Sequence, residues 1–449
     1  MITKLSLGNF KAFEELNDIE LSPLTVIMGR NSGGKSSILH SLLLLKQTLD
    51  SNTGNAAILL EGKYLKYSSL SELAHNLPAT ENAKITYRFE VQSNYKALID
   101  LSIMNGKSLT DDSYHPVVEY IKIDQGSRSI NFSNNFSIKD VKRNSSKNAK
   151  HFLKLFEGIN DEDVEIKYSG FIPKYIAMQK KKNEIMHVPV EIIFDAAEYL
   201  DKLKRSILNI KYLSPVRAMP KRAYIHYSDD TGELSEDGEN SAHVFWGKRN
   251  QKVIWLGKQY SLLEAVNLCI RCVGLKQSIR PTQTGNIIYQ IKVGIKDNKD
   301  VTIVDVGFGY SQVIPIVLTG LLNGPDNLML IEQPEIHLHP SSCANLADLF
   351  LGFIQDKKRF IIETHSQDFI NRLRLRVIEN PELKDKINIL FVEQDDDGAA
   401  TVKQFRIDEN GAFPEWPKGF IDESEKGARE IIKARSEKRK ALSIETIKE

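Results

Sequence analysis

Leu24-Thr25-Val26-Ile27-Met28 is a short apolar run that ends in Gly29-Arg30-Asn31-Ser32-Gly33-Gly34-Lys35-Ser36, after which Ser37-Ile38-Leu39 leads into helical spacing through Leu42 and Leu45. The pattern GxxxxGK[ST], set between a strand and a helix, is that of a phosphate-binding loop. Gly29, Gly33 and Gly34 allow the backbone to turn its N–H groups inward around phosphate oxygens, because glycine tolerates unusual φ/ψ and carries no obstructing side chain. Lys35 is placed to reach the β- and γ-phosphates of ATP, and Ser36 to ligate Mg²⁺ at a helix N-terminus whose dipole favours anions. Arg30, Asn31, Ser32 and Ser37 complete the expected nucleotide-binding loop.

Such a loop needs a carboxylate at the end of a neighbouring strand to hold the metal, and Leu328-Met329-Leu330-Ile331 delivers Glu332. Working outward, Ile2 to Leu7 alternates like a strand, and alternation returns from Ala83 to Leu101 through Ile85, Tyr87, Phe89 and Val91. Beyond Val301 short apolar runs alternate with helical spacing: Leu328 to Ile331, Ser341 to Phe353, Phe360 to Ile362, a helix after Ser366, then Ile387 to Val392. Strands alternating with helices predict an α/β fold with a parallel sheet covered on both faces.

The chain divides into an N-terminal lobe over 1–101, a mostly helical insertion over 102–207 and a connecting region over 208–300. A C-terminal lobe over 301–395 and a segment over 396–449 with a basic helix complete it. The insertion is assigned from its polar clusters, Ser133-Asn134-Asn135 and Lys142 to Lys150, and carries no recognisable motif.

Sixty Lys+Arg against fifty-nine Asp+Glu leave a net charge of +1, so any nucleic-acid surface has to be a local patch. With 41% hydrophobic residues the chain is composed like a folded globular protein. No stretch approaches the roughly 20 apolar residues of a membrane span, and the start lacks the basic and apolar regions of a signal peptide. Cys269, Cys272 and Cys343 are too few for a disulfide framework, which fits a cytoplasmic protein. Cys269 and Cys272 have CxxC spacing but lie in a helical pattern with Leu262, Val266 and Ile270, and are read as packing residues.

The segment Glu332-Gln333-Pro334-Glu335-Ile336-His337-Leu338-His339-Pro340 resembles the second nucleotide motif of ABC-type ATPases of the SMC-like and OLD-like kind. The resemblance extends to Asn9-Phe10-Lys11, to the Gly-x-Asn form of the phosphate loop and to Thr364-His365-Ser366, similar to the family's switch histidine. Asp305-Val306-Gly307-Phe308-Gly309-Tyr310-Ser311-Gln312 stands in the place of the signature that contacts the nucleotide of the opposite protomer. Gly411 to Phe420, and Pro215-Val216-Arg217 with Arg222 and Tyr224, resemble one subgroup similar to ATPase subunits of bacterial anti-phage systems.

What the resemblance implies is a two-lobed ATPase head with Glu332, Gln333, Glu335 and His365 at its catalytic centre, Ser36 and Glu332 on Mg²⁺, and Gly307, Gly309 and Ser311 reaching a partner's ATP. Two departures bear on its chemistry. Glu332 replaces the usual aspartate, and Gln333 replaces the general-base glutamate. A glutamine can orient a water but not deprotonate it, so hydrolysis is expected to be slow unless Glu335 takes over. Gly307 stands where a serine is common, leaving backbone N–H groups or Ser311 to meet the γ-phosphate.

Gln47 and Gln92 both stand as candidates for the glutamine that couples metal to lobe movement, although each alone reads as an ordinary surface residue. Arg217 and Arg222 read either as structural ion-pair residues or as phosphate contacts. His337 and His339 lack the i, i+4 spacing of zinc enzymes, and Asp395-Asp396-Asp397 reads as a solvated turn. The expected function is an ATP-gated head-to-tail dimer that controls a separate effector such as a nuclease in antiviral defence, with no membrane partner. The alternative is an ATP-gated clamp on DNA.

Overall fold

The chain opens with β1 (Ile2–Phe10), β2 (Phe13–Glu20), β3 (Leu24–Gly29) and α1 (Lys35–Asp50). β4 (Lys84–Gln92) and β5 (Lys96–Lys107) follow, and Ile85, Tyr87, Phe89 and Val91 are all buried, as period two requires of a half-covered strand. With β6 (Tyr114–Asp124) and β7 (Ser129–Ser133) these strands form an antiparallel sheet in the order β2-β1-β4-β5-β6-β7. The computed structural model describes residues 1–413 and 430–435, apart from 31–32, 52–55, 109–112, 127, 134, 182–183, 227–231, 295–298, 326 and 396–397. Asn31 and Ser32 of the phosphate loop, Asn134, Asp396 and Asp397, and Pro414 to Phe420 therefore lie outside the described residues, as does most of the basic tail.

The helical insertion expected over 102–207 is corrected by the structure. β5 continues through Lys107, and β6 and β7 extend its sheet, so the change of composition at residue 102 marks no change of architecture. Two short helices, α2 (Ile138–Asn144) and α3 (Lys150–Leu153), precede a second antiparallel sheet of β8 (Val164–Ser169), β9 (Ile172–Lys181) and β10 (Glu184–Pro189). α4 (Val190–Ile193) and α5 (Ala197–Leu208) close the region. Polar composition concealed the period: in β6, Ile121 and Ile123 are buried while Lys122 and Asp124 between and after them stay partly exposed.

β11 (Lys211–Leu213) and β12 (Tyr224–Ile225) lead to α6 (Ser241–Lys248), the hairpin β13 (Lys252–Trp255) and β14 (Lys258–Ser261), and α7 (Leu262–Cys272). Ser261 and Glu264 form a capping box at the start of α7, whose Cys269 is buried; all three cysteines are free thiols. Then come β15 (Ile279–Thr284), β16 (Ile288–Gly294), β17 (Asp300–Thr302), α8 (Gly309–Leu322), β18 (Leu328–Glu332) and α9 (Pro340–Gln355). β19 (Arg359–Glu363), α10 (Gln367–Glu379), β20 (Ile387–Gln394) and β21 (Ala400–Phe405) finish the described fold, apart from an exposed helical stretch over 430–435.

The central sheet runs β11-β18-β19-β3-β20-β21, parallel except for the antiparallel pairing of β20 with β21. The four inner strands, β18, β19, β3 and β20, are mainly apolar and buried because both faces are covered. Leu24, Val26 and Met28 pack with Phe350 and Phe369 of α9 and α10 on one side. Ile27 joins Ile38 and Leu42 of α1 and the antiparallel sheet on the other. The parallel register sets Glu332 opposite Glu363, Glu363 opposite Ile27, and Val392 opposite Gly29. The carboxyl ends of β18, β19 and β3 thus converge, the usual place for a ligand in an open α/β sheet. Among the described residues no helix is long and apolar enough to cross a membrane.

Candidate functional site

The phosphate loop is built on two glycines that no other residue could replace. Gly29 has φ 147°, and a Cβ there would sit 2.2 Å from the Val392 carbonyl oxygen. Gly34 has φ 93°, and its Cβ would meet that of Ala12 at 2.7 Å. Gly34 is also the N-cap of α1; among the described residues no side chain caps this helix, and no acid stands in its first turn. Ser37 N–H is given to the Gly34 carbonyl at 3.0 Å, and the dipole of the helix start favours an anion there.

A cleft of about 540 Å³ opens over this turn. Gly33, Gly34, Lys35, Ser36 and Ser37 form its floor. Gln333, Glu363 and His365 line it from the ends of β18 and β19, and Lys11, His40 of α1 and Tyr67 complete the lining. Lys35 is 4% exposed and donates to the Arg30 carbonyl at 2.6 Å. Burial pulls its pKa down and Glu363 opposes that shift.

Ser36 Oγ donates to Glu363 Oε2 at 2.8 Å. Glu332 accepts a 2.8 Å hydrogen bond from the Tyr212 hydroxyl, does not line the cleft, and lies directly behind Glu363 in the sheet. Burial pushes the Glu332 carboxyl up to about 7, the Tyr212 bond holds it back, and Glu363 pushes it further up. Glu363 is raised by burial as well, against its bonds to Ser36 and the charge of Lys35. Two adjacent carboxylates that resist ionisation, beside a serine hydroxyl at a helix start, form a donor set that a hard divalent cation would satisfy. Ser36 and Glu332, named from sequence, therefore need Glu363 between them. Glu363 was legible as an acid ending an apolar strand just before Thr364-His365, but its neighbour in space follows only from the strand order.

Gln333 adopts a left-handed conformation, φ 44°, and its N–H donates to the Glu363 carbonyl at 2.7 Å, which fixes the turn that carries its side chain to the cleft. Glu335 lies behind this turn. Its Oε1 accepts from the His365 backbone N–H at 2.7 Å, and burial pushes its pKa up against that bond, the Thr364 hydroxyl and the charge of Arg217. Glu335 thus supports the 364–366 turn, and Gln333, not Glu335, lines the cleft over the phosphate loop. His365 is half-buried, and burial followed by the charge of Lys35 holds its pKa down, toward the neutral imidazole.

Arg217 is 5% exposed and donates to the carbonyls of Glu332 at 3.1 Å and Gln333 at 3.3 Å, so it clamps the chain that carries both residues. It is a structural residue, yet one acting on carbonyls; Arg222 alone forms an ion pair, with Asp305 at 2.8 Å. Arg217→Met is expected to cost about 3 kcal/mol, the scale of two hydrogen bonds from a charged donor, and to slow turnover; urea unfolding and phosphate release would show both. Gln47 is 2% exposed rather than a surface residue: it donates to the Leu59 carbonyl at 2.6 Å and accepts from Leu65 N–H at 2.9 Å. Gln92 donates to the Ser93 carbonyl at 3.0 Å. Neither reaches the cleft.

Gly307, Gly309 and Ser311 do not line the cleft either. Gly307 is exposed with open space around it, while Ser311 is 9% exposed and donates to the Phe308 carbonyl at 2.7 Å. The backbone at Gly307, and not the Ser311 hydroxyl, is thus the group presented outward. His339 caps α9 by accepting from Ser341 N–H at 3.3 Å.

A protein-family profile described as an AAA ATPase domain matches residues 1–370, and one described as a protein of unknown function (DUF3696) matches residues 384–431. Among solved structures the chain is similar to the Smc head bound to the C-winged helix domain of ScpA, at 13% identity and TM-score 0.46, covering 90% of this chain and 98% of that one. It is similar to the SMC head domain from Thermotoga maritima at 11% identity and TM-score 0.39, with 90% and 98% covered. The Smc head with an extended coiled coil bound to the C-terminal domain of ScpA, derived from Pyrococcus furiosus, matches at 14% identity and TM-score 0.43, with 90% and 96% covered.

Proposed function

This chain belongs to the AAA ATPase domain family, and from that premise we propose that it is a slow ATP-hydrolysing switch that closes a head-to-tail pair of copies when ATP binds. The observation that carries the reading is the cleft itself: Lys35 and the uncapped start of α1 face Gln333, and among the described residues Glu363 is the one carboxylate lining it. Lys35 exchanges the Arg30 carbonyl for phosphate oxygens as ATP enters. Ser36, Glu363 and, behind them, Glu332 are the residues that would hold Mg²⁺, which when bound neutralises charge between the β- and γ-phosphates. Gln333 orients the attacking water without removing its proton, and His365 contacts the γ-phosphate from the switch turn.

The exposed backbone at Gly307 supports the paired arrangement, because it is free to meet a nucleotide held by another copy. The closed pair then holds or releases a separate effector, such as a nuclease in cytoplasmic antiviral defence. That role rests on the subgroup likeness of Pro215 to Tyr224 and Gly411 to Phe420. The experiment is mass in solution with and without ATP·Mg²⁺, paired with phosphate release. The expected result is an ATP-dependent doubling of mass that persists through slow release. Unchanged mass with rapid release would overturn the switch. ATP-dependent DNA affinity that collapses with salt would favour the clamp on DNA instead.

A further inference from the structure

Three strands and one helix contribute a row of side chains beside the phosphate loop. Tyr212 of β11 is registered with Leu330, Glu332 of β18 with Glu363 of β19, and Glu363 with Ile27 of β3. Alternation along each strand puts Tyr212, Glu332 and Glu363 on one face of the sheet, the face on which Leu330, Ile361 and Ile27 pack with Ile38 and Leu42 of α1. Ser36, in the first turn of α1, ends the row.

Hydrogen bonds divide the row into two pairs. Ser36 Oγ donates to Glu363 Oε2, and the Tyr212 hydroxyl donates to Glu332 Oε1, each at 2.8 Å. Glu363 lines the phosphate cleft, while Glu332, drawn toward the edge strand β11, does not. The pull acts on the side chain alone, because Arg217 holds the backbone carbonyls of Glu332 and Gln333. Tyr212 is itself braced edge-on against Tyr64, with ring centroids 6.0 Å apart.

Among the described residues no group of three or more His, Cys, Asp or Glu could hold a metal ion by itself. Mg²⁺ suits such an open set, since it is usually bound through one or two carboxylates together with water and nucleotide phosphates. Glu332 decides whether one carboxylate or two face the ion. We infer that Tyr212 is a positioning residue that holds Glu332 back from the cation, leaving Ser36 and Glu363 as the direct ligands of the protein and keeping metal affinity low. The inference rests on the ATPase reading for the identity of the cation.

The energetics are those of a competition. To turn toward a cation, Glu332 must give up the Tyr212 hydroxyl, a bond of the stronger, charge-assisted kind. Without that hydroxyl the buried carboxylate loses its donor, and a cation relieves it.

The test measures Mn²⁺, a spectroscopic stand-in for Mg²⁺, by electron paramagnetic resonance of the full chain, first without nucleotide and then with a non-hydrolysable ATP analogue. Tyr212→Phe, which removes only the hydroxyl, is expected to tighten Mn²⁺ binding at least about fivefold, within the worth of one hydrogen bond to a charged group. Glu332→Gln in the Tyr212→Phe chain should cancel that gain. Glu363→Gln should weaken Mn²⁺ binding about tenfold or more. A ring that served only to pack the sheet edge would give no gain that depends on Glu332. Cooperative melting reports whether each variant folds; if the double variant does not, Glu332→Asp, whose shorter side chain falls short of Tyr212, takes its place and should make Tyr212→Phe without effect.

Unchanged or weaker Mn²⁺ binding by Tyr212→Phe, a gain that survives loss of the Glu332 carboxylate, or no bound Mn²⁺ in any chain would each overturn the positioning role. Failure of the ATP analogue to alter the Mn²⁺ signal of the native chain would count against the ATPase reading instead, with the nucleotide-free comparison intact.

Discussion

Lys35→Ala is expected to weaken ATP binding about a hundredfold or more and to bring phosphate release to background, while the melting temperature without nucleotide changes little. Among the described residues its ammonium makes one internal bond, to the Arg30 carbonyl, so its removal costs the free fold little. ATP would lose much more. Two charge-assisted hydrogen bonds to phosphate are worth about 3 kcal/mol or more, and each 1.4 kcal/mol is tenfold in affinity. Nothing nearby can stand in for Lys35. Lys11, the other ammonium on the cleft, lies 4.0 Å over the Tyr67 ring, and the two histidines there, His40 and His365, are held toward the neutral form by burial. Calorimetric titration of ATP·Mg²⁺ into native and variant chains measures the loss. Equal affinity would mean that phosphate is held by backbone alone.

The second large effect has the opposite sign. Gln333→Glu is expected to raise single-turnover phosphate release by about ten- to a hundredfold with ATP affinity nearly unchanged. The turn that carries Gln333 is fixed by its own backbone, through the φ of 44° and the bond to the Glu363 carbonyl, so a carboxylate would occupy the same place as the amide. General-base catalysis contributes about 10²–10⁴-fold when the base is well placed. The new carboxylate would share the site with Glu332 and Glu363, and like charges raise a carboxyl pKa toward the value a base needs near neutral pH. The gain should therefore appear above the new group's pKa and fade as the pH drops through it. Glu335→Gln, by contrast, should act chiefly on the 364–366 turn and its mobility, because its carboxylate faces the His365 backbone. A flat response to Gln333→Glu would place the attacking water elsewhere.

How much of this was legible beforehand divides by the kind of signal involved. β3, β18, β19 and β20 are continuous apolar runs bounded by motif residues, and both faces of their sheet are buried, so composition and position agreed. The strands of the 102–207 region were missed because their buried faces are interleaved with Lys and Glu, and polar turns between them resemble a loop-rich module. Within the site, Lys35, Ser36, Gln333 and His365 were placed by order along the chain, and the fold does bring them together. Glu363, Tyr212 and Arg217 act through neighbours 115 to 327 residues away, and only the order β11-β18-β19-β3 makes them neighbours. The placing of Glu335 away from the cleft was not legible for the same reason: two residues of separation from Gln333 say nothing of which side of a left-handed turn each will occupy.

The place of β3 in the central sheet has a consequence for biosynthesis. This strand is finished by Gly29, yet its two sheet neighbours are Arg359–Glu363 and Ile387–Gln394. At roughly 5–20 residues per second the ribosome needs about 20–80 s to deliver β20, and throughout that interval a strand that is apolar but for Thr25 has both hydrogen-bonding edges open. Non-local parallel pairing is slow to form and prone to wrong partners while it waits. A chain cut anywhere before Arg359 would hold its phosphate loop on a strand with no sheet to join, and should be recovered with chaperones or in aggregates, not as a smaller nucleotide-binding unit.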